Sequence, residues 1–159
     1  MSALDSAICD TYANDFNGGS ESIGIFPMVA DLLHTGHLLA LERAHVYCDK
    51  LIVALNVDPT VDTPNKNKPI ESVFERYTRL RSCKFVDQII PYSGEADLLL
   101  LLQTTPHSVR FVGMDHKDMP FTGDEFERNI RVLHVYIPRC HNISSTELRQ
   151  RVCDANNKK

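Results

Sequence analysis

Residues 34–37 read His-Thr-Gly-His and directly follow the apolar stretch Ile23–Leu33. If a helix begins here, the two imidazoles, three positions apart, lie on one side of it. Gly36 between them lets the backbone approach a ligand closely. Imidazole and exposed helix N–H groups are donors suited to phosphate oxygens. Far along the chain, Ser144-Ser145-Thr146-Glu147 opens a second helix with the Ser-x-x-Glu pattern of a capping box. Its first turn offers N–H groups and a positive dipole end, two hydroxyls stand beside them, and Arg139 and Arg149 flank the segment. Together these would cradle a triphosphate.

Each of these features also has a plainer reading. His34 and His37 could be a metal pair, with His116, His134 or His141 completing the three or four ligands zinc needs, but no spacing among them favours that. The phosphate reading accounts for Gly36 and the zinc reading does not. Ser144 and Glu147 could do nothing more than cap a helix. Lys66 and Lys68 lie in a polar loop, Arg76 reads as a helix-surface arginine, Asp115 as a turn residue, and Asp58 and Asp87 as loop or strand-end polar groups.

The elements that must position these residues follow from pattern. Ile23–Ala30 reads as a strand, 36–48 as a helix with His37, Ala40, Leu41, Ala44 and Cys48 toward the core, and Lys50–Val57 as a strand buried on both faces. After a loop rich in Pro, Asn and Lys come a charged helix (71–83), a strand (85–91), a leucine-rich helix (95–103), a strand (109–112), a short helix (121–129), a strand (132–137) and a helix (144–152). Alternation of this kind implies an α/β, Rossmann-like three-layer sandwich around a five-stranded parallel sheet with right-handed crossovers. Ligands bind such sheets outside the C-terminal ends of the strands, where strand order reverses. Every unusual polar segment here follows a strand: 34–37, the Lys66/Lys68 loop, Gly113-Met114-Asp115-His116, and 139–146.

Composition bounds the function. A chain of 159 residues with 43% hydrophobic and 24% charged residues suits one core domain, expected over 23–153, with a flexible arm at 1–22 and a tail at 154–159. A net charge of −4 argues against nucleic acid as partner. No apolar run approaches the ~20 residues of a membrane helix, and the polar, acidic start does not read as a signal peptide. Five cysteines without metal-type spacing read as reduced thiols in a cytoplasmic setting.

Read in order, D-L-L-H-T-G-H (31–37), C-D-K-L-I-V-A-L (48–55), K-P (68–69), E-R-Y (75–77), V-D-Q-I-I-P (86–91), G-M-D (113–115) and Y-I-P-R-C-H-N-I-S-S-T-E-L-R (136–149) resemble the cytidylyltransferase group of HxGH nucleotidyltransferases, glycerol-3-phosphate cytidylyltransferase in particular. The likeness covers about residues 23–153. It implies transfer of CMP from CTP to a phosphorylated small molecule, with Mg2+ as cofactor, and a homodimer. It assigns His34, His37, Lys68 and Arg139 to catalysis. Gly36, Arg76, Gly113, Asp115, Ser144, Ser145, Thr146 and Arg149 would bind nucleotide, and Asp31 and Asp58 would lie near the acceptor or the magnesium. Adenylyltransferases of the same superfamily, which use ATP, share the first motif, and a non-catalytic nucleotide-binding relative is a further reading. The sequence departs from the family in two places. Met28-Val29-Ala30-Asp31 replaces a Gly-Thr-Phe-Asp-like turn, and Asn142 stands where a Gly usually precedes the Ile.

Overall fold

The computed structural model describes residues 21–139 and 143–157. The expected arm, Cys9, Cys140, His141 and Asn142 therefore lie outside the described residues, apart from the arm's last two positions. The elements are β1 (Ile23–Met28), α1 (Thr35–His45), β2 (Lys50–Asn56), α2 (Val73–Arg81), β3 (Gln88–Tyr92), α3 (Glu95–Thr104), β4 (Val109–Gly113), α4 (Asp124–Asn129), β5 (Leu133–Ile137) and α5 (Ser145–Asn156). Short 3-10 turns at Asp31–Leu33 and Met114–His116 follow β1 and β4. All five strands are parallel, in the order β3-β2-β1-β4-β5. The expected Rossmann-like α/β architecture is therefore the observed one, with its switch point between β1 and β4.

Strand β2 shows why the sheet is buried on both sides. Leu51, Val53 and Leu55 enter the core that holds Leu41, Leu80 and Phe111, whereas Ile52 and Ala54 enter the core of Tyr92, Leu98 and Leu102. The alternation is the two-residue period of a strand. Gly24 of β1 is set by close approach. A Cβ there would stand 2.5 Å from a Phe111 ring carbon and 2.8 Å from Cys48 Sγ. Burial pushes the Cys48 thiol up to about 12, so it serves as a core atom rather than a nucleophile. Cys83 and Cys153 are also free thiols.

Several element ends shift from expectation, and two of the shifts have a visible cause. α2 begins at Val73 because Ser72 and Glu75 form a complete capping box, each side chain taking the other's backbone N–H. β3 begins at Gln88, not Phe85. Residues 83–86 instead close a turn, Val86 N–H donating to Cys83 O, and Asp87 is tied to Leu51 by a backbone bond in one direction and a carboxylate bond in the other. Phe85 and Val86 pack against the core from that turn.

The sheet opens at its switch point. β1 pairs with β2 over six residues but with β4 over two only, Gly24 with Val109 and Ile25 with Arg110. Beyond them the strands diverge. A cavity of about 880 Å³ opens at this divergence, lined by Phe26, Pro27 and Met28 on one side and Gly113 on the other.

Candidate functional site

Helix α1 supplies one wall of the cavity. His34 is its N-cap, its Nδ1 accepting the Gly36 N–H at 3.1 Å. The lone pair is thus on Nδ1, and the neutral ring carries its proton on Nε2, as a donor. His37, one turn on, stacks against it with ring centroids 3.9 Å apart and planes at 24°. Two positive rings this close would repel by about 4 kcal/mol at an effective dielectric of 20, and an anion placed between their donors offsets that cost. Both histidines and Gly36 line the cavity. The wall continues down the helix through Ala40 and Arg43, which with Gly36 form a stripe at helical spacing, and on to Tyr47 in the turn that follows it.

Helix α5 supplies another part of the lining. Ser144 Oγ accepts the Glu147 N–H at 3.1 Å. The return half of the expected box is replaced by an ion pair, Glu147 Oε1 taking Arg151 Nη2 at 2.7 Å. Ser145 Oγ donates to the carbonyl of Asp31 at 2.9 Å. Two of the three hydroxyls expected to meet phosphate are therefore engaged in holding the helix in place. Thr146 is exposed and lines the cavity with Ser144 and Ser145, and the first-turn amides supply the anion-binding end.

The rim is built by the strand ends. Gly113 closes β4, and a Cβ there would stand 2.5 Å from Asp115 Oδ1. Glycine therefore makes the room in which the Asp115 carboxylate turns to accept from Arg139 Nη2 at 3.0 Å. Arg139 and Asp115 are both substantially exposed, and His116 Nε2 lies 3.9 Å from the same carboxylate.

Arg149 and Asp31 pair in the cavity lining, Nη2 to Oδ2 at 2.6 Å, and the same nitrogen donates to Lys68 O at 3.0 Å. Asp31 Oδ1 accepts the N–H groups of Ile70 and Glu71, each at 3.0 Å. Burial acts to raise the Asp31 carboxyl, but the Glu71 and Ile70 amides and the Arg149 guanidinium outweigh it and hold it below the usual carboxylate value. Asp31 lines the cavity, yet its carboxylate is taken up by the protein's own donors.

Three assigned residues are not brought to the cavity. Arg76 is 1% exposed. It donates from Nη1 to Val29 O at 2.8 Å and Asn56 O at 2.6 Å, from Nη2 to Val57 O at 2.6 Å and from Nε to Glu71 O at 3.2 Å. It is a brace under the ends of β1 and β2, neither a surface arginine nor a lining one. Lys68 is drawn outward, its Nζ 3.8 Å from Asp58 Oδ2. Asp58 Oδ1 closes a turn on Thr60, through its N–H at 2.9 Å and its hydroxyl at 2.6 Å. Lys66, from the same loop, lines the cavity instead. Lys66, Arg43 and His116 are thus lining residues that motif matching did not select. Lys66 and His116 carried the signal of their strand-end polar segments, and Arg43 that of its place in the stripe from Gly36.

No group of three His, Cys, Asp or Glu side chains among the described residues is arranged to hold a metal. His134 belongs to a separate buried network. Its Nε2 lies 3.1 Å from Glu127 Oε2, and His107 Nε2 lies 3.0 Å from the other Glu127 oxygen.

A family model described as cytidylyltransferase-like matches residues 25–151. The chain belongs to the cytidylyltransferase-like family. This places the chain in the nucleotidyltransferase superfamily. Among curated relatives, it is 30% identical over 128 residues to the bifunctional protein HldE of Campylobacter concisus, covering 80% of this chain and 26% of that protein. It is 38% identical over 77 residues to HldE of Nitrosococcus oceani, covering 48% of this chain and 16% of that one. The chain thus spans about a quarter or less of the length of these relatives. Among solved structures, the lipopolysaccharide core biosynthesis protein of Thermoplasma volcanium superposes with a TM-score of 0.63 at 24% identity, over 77% of this chain and all of that one. The Francisella tularensis pantoate-beta-alanine ligase superposes with a TM-score of 0.55 at 17% identity, over 91% and 73%. At these identities the likeness is one of fold. No helix among the described residues is long and apolar enough to cross a membrane.

Proposed function

We propose that this cytidylyltransferase-like protein transfers CMP from CTP to a phosphorylated small molecule, such as glycerol 3-phosphate or a related alcohol or sugar phosphate, releasing pyrophosphate. The observation that carries the reading is the stacked His34–His37 pair at one helix N-terminus, lining the same cavity as the N-terminus of α5 at the β1/β4 divergence. An acceptor phosphate oxygen attacks the α-phosphorus in line and the bond to the bridging oxygen of pyrophosphate breaks. The acceptor is already anionic, so no general base is needed, and catalysis is positioning plus charge stabilisation. His34 and His37 donate to phosphate oxygens as charge moves toward the leaving group. Arg139, Lys66 and the α5 amides offset that charge, and Arg149 stands beside them.

Mg2+ belongs to this reading as a companion of the phosphates, which supply most of its ligands. Asp115, half-exposed on the rim although paired with Arg139, is the carboxylate that would reach it; Asp31 is buried against Arg149 and Asp58 does not line the cavity. A homodimer remains part of the proposal by resemblance.

ATP in place of CTP is the second reading. It is favoured by the Francisella tularensis fold relative, whose structure is described as complexed with beta-gamma ATP and beta-alanine. Pyrophosphate release from CTP and from ATP, with Mg2+ and a panel of acceptor phosphates, tests both. Turnover with CTP supports the first reading, turnover with ATP alone the second, and release from neither overturns both in favour of a nucleotide-binding relative without catalysis.

A further inference from the structure

One residue, Leu33, separates His34 from the left-handed turn that leads into it. Ala30 and Leu32 have φ of 55° and 60°, and each such residue other than glycine costs about 1–2 kcal/mol. The turn persists because something holds it. Glu71 Oε2 accepts the Leu32 N–H at 2.7 Å, while the Glu71 N–H donates to Asp31 Oδ1 at 3.0 Å. Two carboxylates from distant segments thus each cap the other's backbone. The remaining Glu71 oxygen is fixed by Arg79 Nε at 2.8 Å. Glu71 is 8% exposed and does not line the cavity. The turn it holds is the same one that α5 grips, through Ser145 Oγ to Asp31 O and Arg149 to the Asp31 carboxylate.

We propose that Glu71 is a positioning residue for the anion site: by fixing Leu32 and Asp31 it sets the spacing between the His34–His37 pair and the N-terminus of α5. The inference rests on the nucleotidyl-transfer reading of the cavity. Glu71 touches no substrate. It acts on the fraction of molecules whose two walls stand in register, and apparent affinity falls in proportion to that fraction.

The test compares Glu71→Met and Glu71→Ala, which remove the acceptor with and without its bulk, with Glu71→Gln, which keeps an oxygen for the Leu32 N–H. Leu102→Ala, in the core on the other face of the sheet, is the control that lowers stability without touching that carboxylate. Binding of CTP, ATP and inorganic pyrophosphate is measured by calorimetry below each unfolding midpoint, with KM and kcat alongside. Loss of the acceptor is expected to weaken binding by about tenfold or more, with KM rising more than kcat falls. Glu71→Gln returns to within about threefold of wild type, and Leu102→Ala binds as wild type does. Wild-type affinity in Glu71→Met and Glu71→Ala, no rescue by Glu71→Gln, or equal weakening in Leu102→Ala would overturn the proposal. If the wild-type protein binds none of the three ligands, the functional reading fails separately. Glu71 is then judged by amide exchange, which must quicken at Leu32 and Gly36 in Glu71→Met relative to Leu102→Ala; unchanged exchange there sinks it.

Discussion

Replacing Arg76 by Met asks whether this arginine serves the ligand or the fold. The resemblance places Arg76 on the nucleotide, and the structure places it beneath β1 and β2 with four carbonyl partners. A hydrogen bond to a charged group contributes about 1.5–3 kcal/mol, and a buried carbonyl left without a donor costs about 1–3 kcal/mol. Four such bonds do not simply add, because the buried guanidinium carries its own desolvation penalty. Burial pushes its pKa down, and Asp31, Glu71 and Asp58 act to raise it. Breaking a buried charged group out of its partners typically costs about 3–5 kcal/mol, a large share of the roughly 5–15 kcal/mol that holds a domain folded. Arg76→Met is therefore expected to lose about 3–5 kcal/mol in urea unfolding followed by circular dichroism. Arg76→Lys, which has no fork to span carbonyls of two strands, should recover less than about half of that. A loss under about 1 kcal/mol in Arg76→Met, together with a selective loss of nucleotide affinity, would refute the bracing role and restore the ligand role.

His37→Ala should cost on the order of 100–1000-fold in nucleotidyl transfer while leaving the circular dichroism spectrum unchanged; near wild-type turnover would remove the histidine pair from the mechanism. Gly24→Ala should destabilise by about 1–3 kcal/mol through overpacking against Phe111 and Cys48, read as a lowered melting temperature. The pKa of His134 is held below its ordinary value, because burial outweighs the attraction of Glu127 and Asp124. A histidine depressed in the folded state leaves the unfolded chain binding protons first as pH falls. Stability should therefore be full above the unfolded value of 6.5 and decline as pH drops through the lower folded value. His134→Gln should flatten that decline in a series of thermal melts, and an unchanged slope would show that another group sets it.

The parts of the fold that could be read directly are those whose signal is local. β2 is a run of branched and leucine residues, and it is buried at every central position. Ser144 caps α5 because a capping serine needs only its own next turn. His34–His37 reached the cavity because a helix start fixes the side of both rings. What could not be read depends on partners brought from elsewhere in the chain. Arg76 lies on a charged helix, and nothing in Glu-Arg-Tyr reveals that carbonyls of β1 and β2 will meet it. Lys66 and Lys68 are equivalent as loop residues until Asp58 draws one of them away. Phe85 and Val86 are apolar enough for a strand, but the turn at Cys83 takes them first. The missing Gly-Phe turn before His34 looked like a lost backbone freedom. The chain reaches a left-handed conformation there with Ala30 and Leu32, held by carboxylates far away in sequence.

The two-residue pairing of β1 with β4 has a consequence for how such a site can change. Past Ile25 and Arg110 the facing edges of these strands do not serve each other, so the peptide groups along the divergence are offered to whatever occupies the cavity. Main-chain donors and acceptors survive nearly every substitution. A scan of side chains across this protein would therefore under-report the site, and a drifting lineage could exchange rim residues such as Arg139 or Lys66 while the strand edges went on gripping the ligand. Recognition written into the backbone is inherited with the topology itself, so on the proposed reading side chains could vary toward new acceptors while the strand edges stayed available to the nucleotide.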